Sequence, residues 1–233
     1  MKSKVLIILC FLCASIHPAV KAQFGRSLYK DAEVFVGTGT SNYFGDVGGQ
    51  DSRITGVQAI FDHLDIDLWQ TRMMFTSGLR VTPWKSFSLS GQFSPIFIAG
   101  NDLRSDRAAR AYQFHTTILE LSLQGEYYFA NRLTGVAPYG FIGLGAMGFW
   151  RWADYKNKNI FDYGTSYIFG IGTRFPTKNR FTHALDMSFH FSSTDWLDEL
   201  PPNGNKDILF LISYKLNFEL YTKWYYDHRG LVR

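Results

Sequence analysis

Phe210, Ile212, Tyr214, Leu216 and Phe218 follow one another at strict period two, with Ser213, Lys215 and Asn217 between them. A helix would scatter these five around its circumference, whereas an extended strand sets them on one face. The same alternation runs through Ser86 to Ser94, where Phe87, Leu89 and Phe93 oppose Ser88, Ser90, Gln92 and Ser94. It recurs from about Tyr112 to Phe129, with Leu119, Leu121, Leu123, Tyr127 and Phe129 against Glu120, Ser122, Gln124 and Glu126. Further strands are expected near 32–44, 70–82, 136–152, 163–175 and 181–193, which makes eight. The 136–152 segment is glycine-rich (Gly140, Gly143, Gly145, Gly148), as expected where a narrow barrel bends. The pattern predicts an all-β fold, an eight-stranded antiparallel transmembrane outer-membrane β-barrel whose apolar faces meet lipid and whose lumen is plugged.

The first residues support export. Lys2 and Lys4 precede the apolar run Val5 to Ala14, and Val20-Lys21-Ala22 stands just before Gln23, the layout of a cleaved secretory signal peptide over 1–22. Its apolar core is too short to span a bilayer, and no later stretch reaches the ~20 apolar residues of a membrane helix. A closed barrel is the remaining way to cross. The expected division is leader 1–22, barrel 23–221 and a periplasmic tail 222–233. Cys10 and Cys13 both fall in the leader, so no disulfide, thiolate metal site or lipid attachment is expected beyond it. The formal charge of +4 owes three lysines (Lys2, Lys4, Lys21) to the leader and no acid, which leaves the rest near +1. That balance gives no reason to invoke nucleic acid.

Between these strands the connections are expected to alternate long and short, with the long ones extracellular and the short turns and both termini periplasmic. Aromatic girdles are expected from Trp84, Tyr127, Tyr139, Phe218 and Tyr221 on the periplasmic side, and from Phe97, Tyr112, Phe149 and Tyr167 on the outer side. On the inward parity lie Arg72, Arg80, Arg174 and Lys215 against Glu120, Glu126, Asp186 and Glu33, four charges of each sign. Eight strands enclose room for side chains only, so these charges should pair across the lumen.

Small barrels can be enzymes, so nucleophiles need weighing. Asp186, Ser188 and His190 share one face of a strand, where residues two apart point parallel and are not expected to converge as a triad. A lumen hydrogen-bond network is the simpler reading. His115 and Thr117 share an outward face without a serine or an acid partner. The acids Asp62, Asp65 and Asp67 with His63, and Asp195, Asp198 and Glu199, lack the spacing of a calcium loop and read as solvated loop residues. Gly37-Thr38-Gly39 lies in a strand with no helix after it and is no phosphate loop. No catalytic residue, cofactor or metal is expected.

Two loop-edge motifs exceed barrel grammar: Ser41-Asn42-Tyr43-Phe44-Gly45-Asp46-Val47-Gly48-Gly49 after the first strand, and Thr194-Asp195-Trp196-Leu197-Asp198-Glu199-Leu200 after the seventh. With the Phe114 to Phe129 stretch, Ala137-Pro138-Tyr139-Gly140-Phe141 and Lys206-Asp207, the chain resembles the PorG-like outer-membrane barrels of the Bacteroidota type IX secretion system. It departs from them at Trp196, at Glu199 and in the tail after Phe218. The resemblance implies a non-enzymatic component of an outer membrane, surrounded by lipid, that anchors or assembles a periplasmic ring made of a lipoprotein and a soluble partner. Asn42, Tyr43, Gly45, Asp46, Asp195, Trp196 and Asp198 are then either partner contacts or loop-shaping residues. The tail residues Trp224, Tyr225 and Tyr226, interleaved with bases, read as a docking strip or as an interfacial anchor. The alternatives are a lipid-active barrel enzyme and a stand-alone structural barrel.

Overall fold

The computed structural model describes residues 31–45, 47, 70–84, 86–104, 109, 112–130, 135–152, 159–177, 180–198 and 206–222. The leader and the tail beyond 222 lie outside them. Eight strands follow in chain order: β1 (Asp31–Phe44), β2 (Arg72–Trp84), β3 (Phe87–Asn101), β4 (Gln113–Tyr128), β5 (Ala137–Trp152), β6 (Asn159–Pro176), β7 (Phe181–Ser192) and β8 (Ile208–Thr222). Each pairs antiparallel with the next, and β8 returns to β1, so the sheet closes. Closure leaves no strand edge unpaired, which lets a sheet stand in lipid.

Parity separates the two faces as the sequence alternation requires. On β4, Phe114, Thr116, Ile118, Glu120, Ser122, Gln124, Glu126 and Tyr128 are buried, while Leu121, Leu123 and Tyr127 are exposed. On β7, Ala184, Asp186, Ser188 and His190 point in, and Leu185, Met187, Phe189 and Phe191 point out. The exposed apolar side chains thus form the outer wall, the reverse of a water-soluble protein.

Two strands run further than expected. β3 reaches Asn101, where the one-turn 3-10 helix η1 (Asp102–Arg104) begins, and β6 starts at Asn159 instead of 163. Trp150 and Phe161 face each other across β5 and β6 with ring centroids 4.8 Å apart, a cross-strand pair that carries the hairpin further. The connection 153–158 is consequently shorter than 129–136, and the expected alternation of long and short fails at this pair. The connections 45–71, 102–112 and 193–207 still share one end of the barrel, the loop end. The turns 85–86 and 177–180, with both termini of the barrel, share the other, the turn end.

Leu123 is among the most exposed apolar residues and sits near the middle of β4. Leu123→Arg should cost about 2–4 kcal/mol, the penalty for a cation at mid-bilayer depth on a barrel wall. Reversible urea unfolding of the variant in lipid vesicles measures it.

Candidate functional site: the lumen and its loop-end cap

The lumen has two layers. Towards the turn end it is ionic. The Glu33 carboxylate on β1 accepts from Arg174 Nη2 on β6 at 2.8 and 2.9 Å, and from Arg80 Nη1 on β2 at 3.2 Å. Arg80 also gives Nε to Glu126 on β4 and Nη1 to the Asn217 side-chain oxygen at 2.6 Å. Glu126 accepts from Ser90 at 3.0 Å and from the Tyr128 hydroxyl at 2.7 Å. Beside this cluster Lys215 Nζ lies 2.8 Å from both Asp186 Oδ2 and Gln92 Oε1, and Tyr139 donates to the other Asp186 oxygen. Arg80 and Lys215 both rest on the Phe35 ring. Buried charges persist where partners and hydrogen bonds replace water, and each of these has several.

Above the ion pairs, His190 Nδ1 lies 2.9 Å from Glu120 Oε2, and its Nε2 lies 3.0 Å from Ser188 Oγ. Ser166 donates to the same Glu120 oxygen at 2.8 Å. The expectation that residues two apart stay parallel holds for Asp186, which Lys215 takes, and is corrected for Ser188 and His190, which meet. Ser188 and His190 do share a strand face, but β4 supplies the acid from across the lumen, so the three form a serine–imidazole–carboxylate relay. Gly145 on β5 makes room for it, since a Cβ there would lie 2.3 Å from Ser166 Oγ and 3.0 Å from the Glu120 carboxyl carbon. All three relay residues are buried. A hollow on the outer wall lined by Leu123, Ile142, Leu144, Phe169, Met187 and Phe189 lies on the opposite face of β7 from Ser188.

Towards the loop end the lumen turns apolar. Met74, Ile96, Ile98, Phe114, Ile118, Met147, Phe149, Leu209 and Leu211 pack together, joined by Val47 and Leu197 from the connections. The Leu197 side chain is fully buried, and its backbone is pinned at both ends. Thr116 Oγ1 donates to its carbonyl at 2.7 Å, and its N–H donates to Asp207 Oδ2 at 2.9 Å. The other Asp207 oxygen accepts from the Tyr43 hydroxyl at 2.5 Å. The Tyr43 hydroxyl lies over Gly45, where a Cβ would fall 1.9 Å from it. Arg151 gives Nη1 to the Trp196 carbonyl at 3.3 Å and stacks on the indole. Burial pushes the Asp207 carboxyl up to about 7, with Asp198 and Asp195 adding to the rise and the Tyr43 and Leu197 hydrogen bonds opposing it.

The motif residues after the first and seventh strands thus meet at the loop end: Tyr43 and Gly45 from one, Leu197 with Asp195, Trp196 and Asp198 from the other, and Asp207 joining them. Asn42 accepts a 2.6 Å hydrogen bond from Thr71 on the same rim. Asp46, Glu199, the acids of the first connection and the tail aromatics Trp224, Tyr225 and Tyr226 lie outside the described residues. Glu33, Arg80, Glu120, Glu126, Arg174, Asp186 and Lys215 are buried in the lumen, while Arg72 stands half-buried at the loop-end margin with its guanidinium on the Thr71 carbonyl. Glu120 meets His190 and none of the four expected bases.

Three girdle expectations fail, two of them on β5. Tyr139 and Phe149 are on the inward parity of β5 and are buried, and Tyr112 packs against the internal apolar layer. Glycines at 143 and 145 obscure which parity of β5 faces in. Trp84, Tyr127, Phe97 and Tyr167 are exposed on the outer wall. The sequence patterns give no role to Arg151, Tyr128, Asn217 or Asp207, although Asn217 stands on an inward parity and Asp207 in a motif named above. Continuing the inward parity of β4, β5 and β8 to the strand ends finds the first three, and Asp207 stands just before β8.

No family model matches the chain, and no curated protein matches it. Solved structures do. Neisserial surface protein A aligns with a TM-score of 0.51 at 7% identity, over 81% of this chain and 96% of that one. The Yersinia pestis attachment invasion locus protein Ail, in complex with a heparin analogue, aligns at 0.45 and 15% identity, over 81% and 99%. The N-terminal barrel domain of Pseudomonas aeruginosa OprF aligns at 0.43 and 12%, over 81% and 98%. At these identities the likeness concerns fold alone, and the fold is the eight-stranded outer-membrane β-barrel.

Glu126→Ala would leave Arg80 with one carboxylate where it has two. Removing one partner of a buried ion pair should destabilise the barrel by ~3 kcal/mol. The shift of the urea midpoint, or the temperature at which the folded band converts on a gel, reads the loss.

Proposed function

We propose that this chain is a non-enzymatic outer-membrane component of a type IX protein secretion system, which anchors or assembles the periplasmic ring of lipoprotein and soluble partner. The observation that carries the reading is the convergence of the motifs behind the resemblance. Residues from both loop-edge motifs and Asp207 form one hydrogen-bonded cluster, although 164 positions separate Tyr43 from Asp207. Their role in that cluster is to shape the rim. The long connections read as extracellular, so ring contact falls to the opposite end, to the turns near Trp84 and Pro176 and to the tail with Trp224, Tyr225 and Tyr226.

A lipid-active enzyme is the second reading, and the Ser188–His190–Glu120 relay favours it. Burial within the lumen weighs against it, because a nucleophile must reach its substrate.

Affinity purification of the tagged barrel from its native membrane should recover the ring lipoprotein, and deleting 223–233 should weaken that recovery and secretion while the barrel still inserts. Recovery of the barrel alone, with normal secretion in a deletion strain, would remove the proposal. In planar bilayers the purified protein should show no stable large conductance steps, as expected of a lumen filled by paired side chains. A fluorophosphonate probe that labels wild type and not Ser188→Ala would establish the enzyme reading instead.

A further inference from the structure

We propose that the segment Thr194–Asp198 is a proton-sensitive strap across the loop-end mouth of the barrel, fastened at the Asp207 carboxylate. The segment leaves the barrel wall after β7, and Leu197 drops into the apolar layer of the lumen, where it is fully buried among Met74, Phe114, Phe149 and Leu209. Hydrophobic burial of one leucine holds the strap down. Three polar contacts set its position: Thr116 on the Leu197 carbonyl, Arg151 on the Trp196 carbonyl, and Asp207 on the Leu197 N–H. The first two partners are a hydroxyl and a guanidinium, and the third is a carboxyl. Asp207 is the contact that can change.

The Asp207 carboxyl is buried between the strap and the end of β1. The titratable and charged groups on the elements around it are Tyr43 on β1, Asp195 and Asp198 on the strap, Lys206 beside it in the chain, Arg151 on β5 and Asp162 on β6, the last two within 3.7 Å of each other. Lys206 is exposed and Arg151 is engaged by Trp196 and Asp162, whereas both strap acids raise the Asp207 carboxyl. A strap that lifts would release this carboxyl into water, where its ordinary acidity returns. Closed, the same group holds its proton to about pH 7, and the Tyr43 hydroxyl, which lies between Asp207 and Asp198, then accepts from Asp207 and donates to Asp198.

The sign follows from linkage. The closed strap binds a proton more tightly than the open one, so closure is favoured most at low pH. It weakens from about pH 4 upwards, and the loss is complete once pH passes about 7. Over the steep part the open population rises by up to ~10-fold per pH unit, and above neutrality it levels off.

The experiment is nuclear magnetic resonance of the full barrel in nanodiscs, with the Leu197 methyls labelled and a soluble gadolinium chelate added. Relaxation enhancement of those methyls reports exposure of Leu197 to water. In wild type it should be low at pH 5, rise through pH 6 and 7, and plateau by pH 8. Asp207→Asn, neutral throughout, should give a low and flat profile. Asp198→Asn removes one repelling neighbour, and should show a smaller rise than wild type whether or not the first variant folds. A flat wild-type profile, an undiminished rise in a folded Asp207→Asn barrel, or a rise in Asp198→Asn equal to that of wild type would each overturn the strap.

Discussion

Glu33 shared between two guanidiniums is the contact on which the barrel interior rests. Its carboxylate comes from β1, Arg80 from β2, Arg174 from β6, and Glu126 on β4 takes the far side of Arg80. Four strands spread around the circumference are thereby tied through one point. Such a cluster gives little net stability over an apolar filling, because desolvation offsets most of the attraction. What it gives is register. A slip of one residue on any of these strands would move its charged side chain from the lumen to the lipid face.

Small residues make these lumen contacts possible. On β6, a Cβ at Gly172 would lie 2.3 Å from Asp186 Oδ1 and 2.6 Å from the Tyr139 ring, so only a bare backbone lets Tyr139 reach its carboxylate. Gly145 does the same for Glu120. The bulky partner on one strand is answered by an absent side chain on its neighbour, and the two pack without widening the wall there.

Much of this was legible in the sequence. The five apolar residues from Phe210 to Phe218 fixed a strand, its lipid face and its inward residues together, because period two determines all three. The inward charges could be read from the same parity. Which charge meets which could not, since pairing depends on the stagger of strands around the barrel. Glu120 therefore met an imidazole, and a relay appeared that no single strand could spell. The inward place of Phe149 is hidden in the sequence for another reason. Its strand alternates glycine with large side chains on both faces, which removes the contrast that parity needs.

The Tyr43–Asp207 contact stands on the seam where the first strand meets the last, for Phe44 pairs with Ile208 immediately beside it. Seven of the eight strand pairs join neighbours in the chain, and only β1 with β8 joins its ends. That pair carries the largest loop-closure cost. The Tyr43 hydroxyl can find its acceptor only after the two ends have met. The rim at this point is thus a record of completed assembly, present in the sealed cylinder and absent from an open sheet.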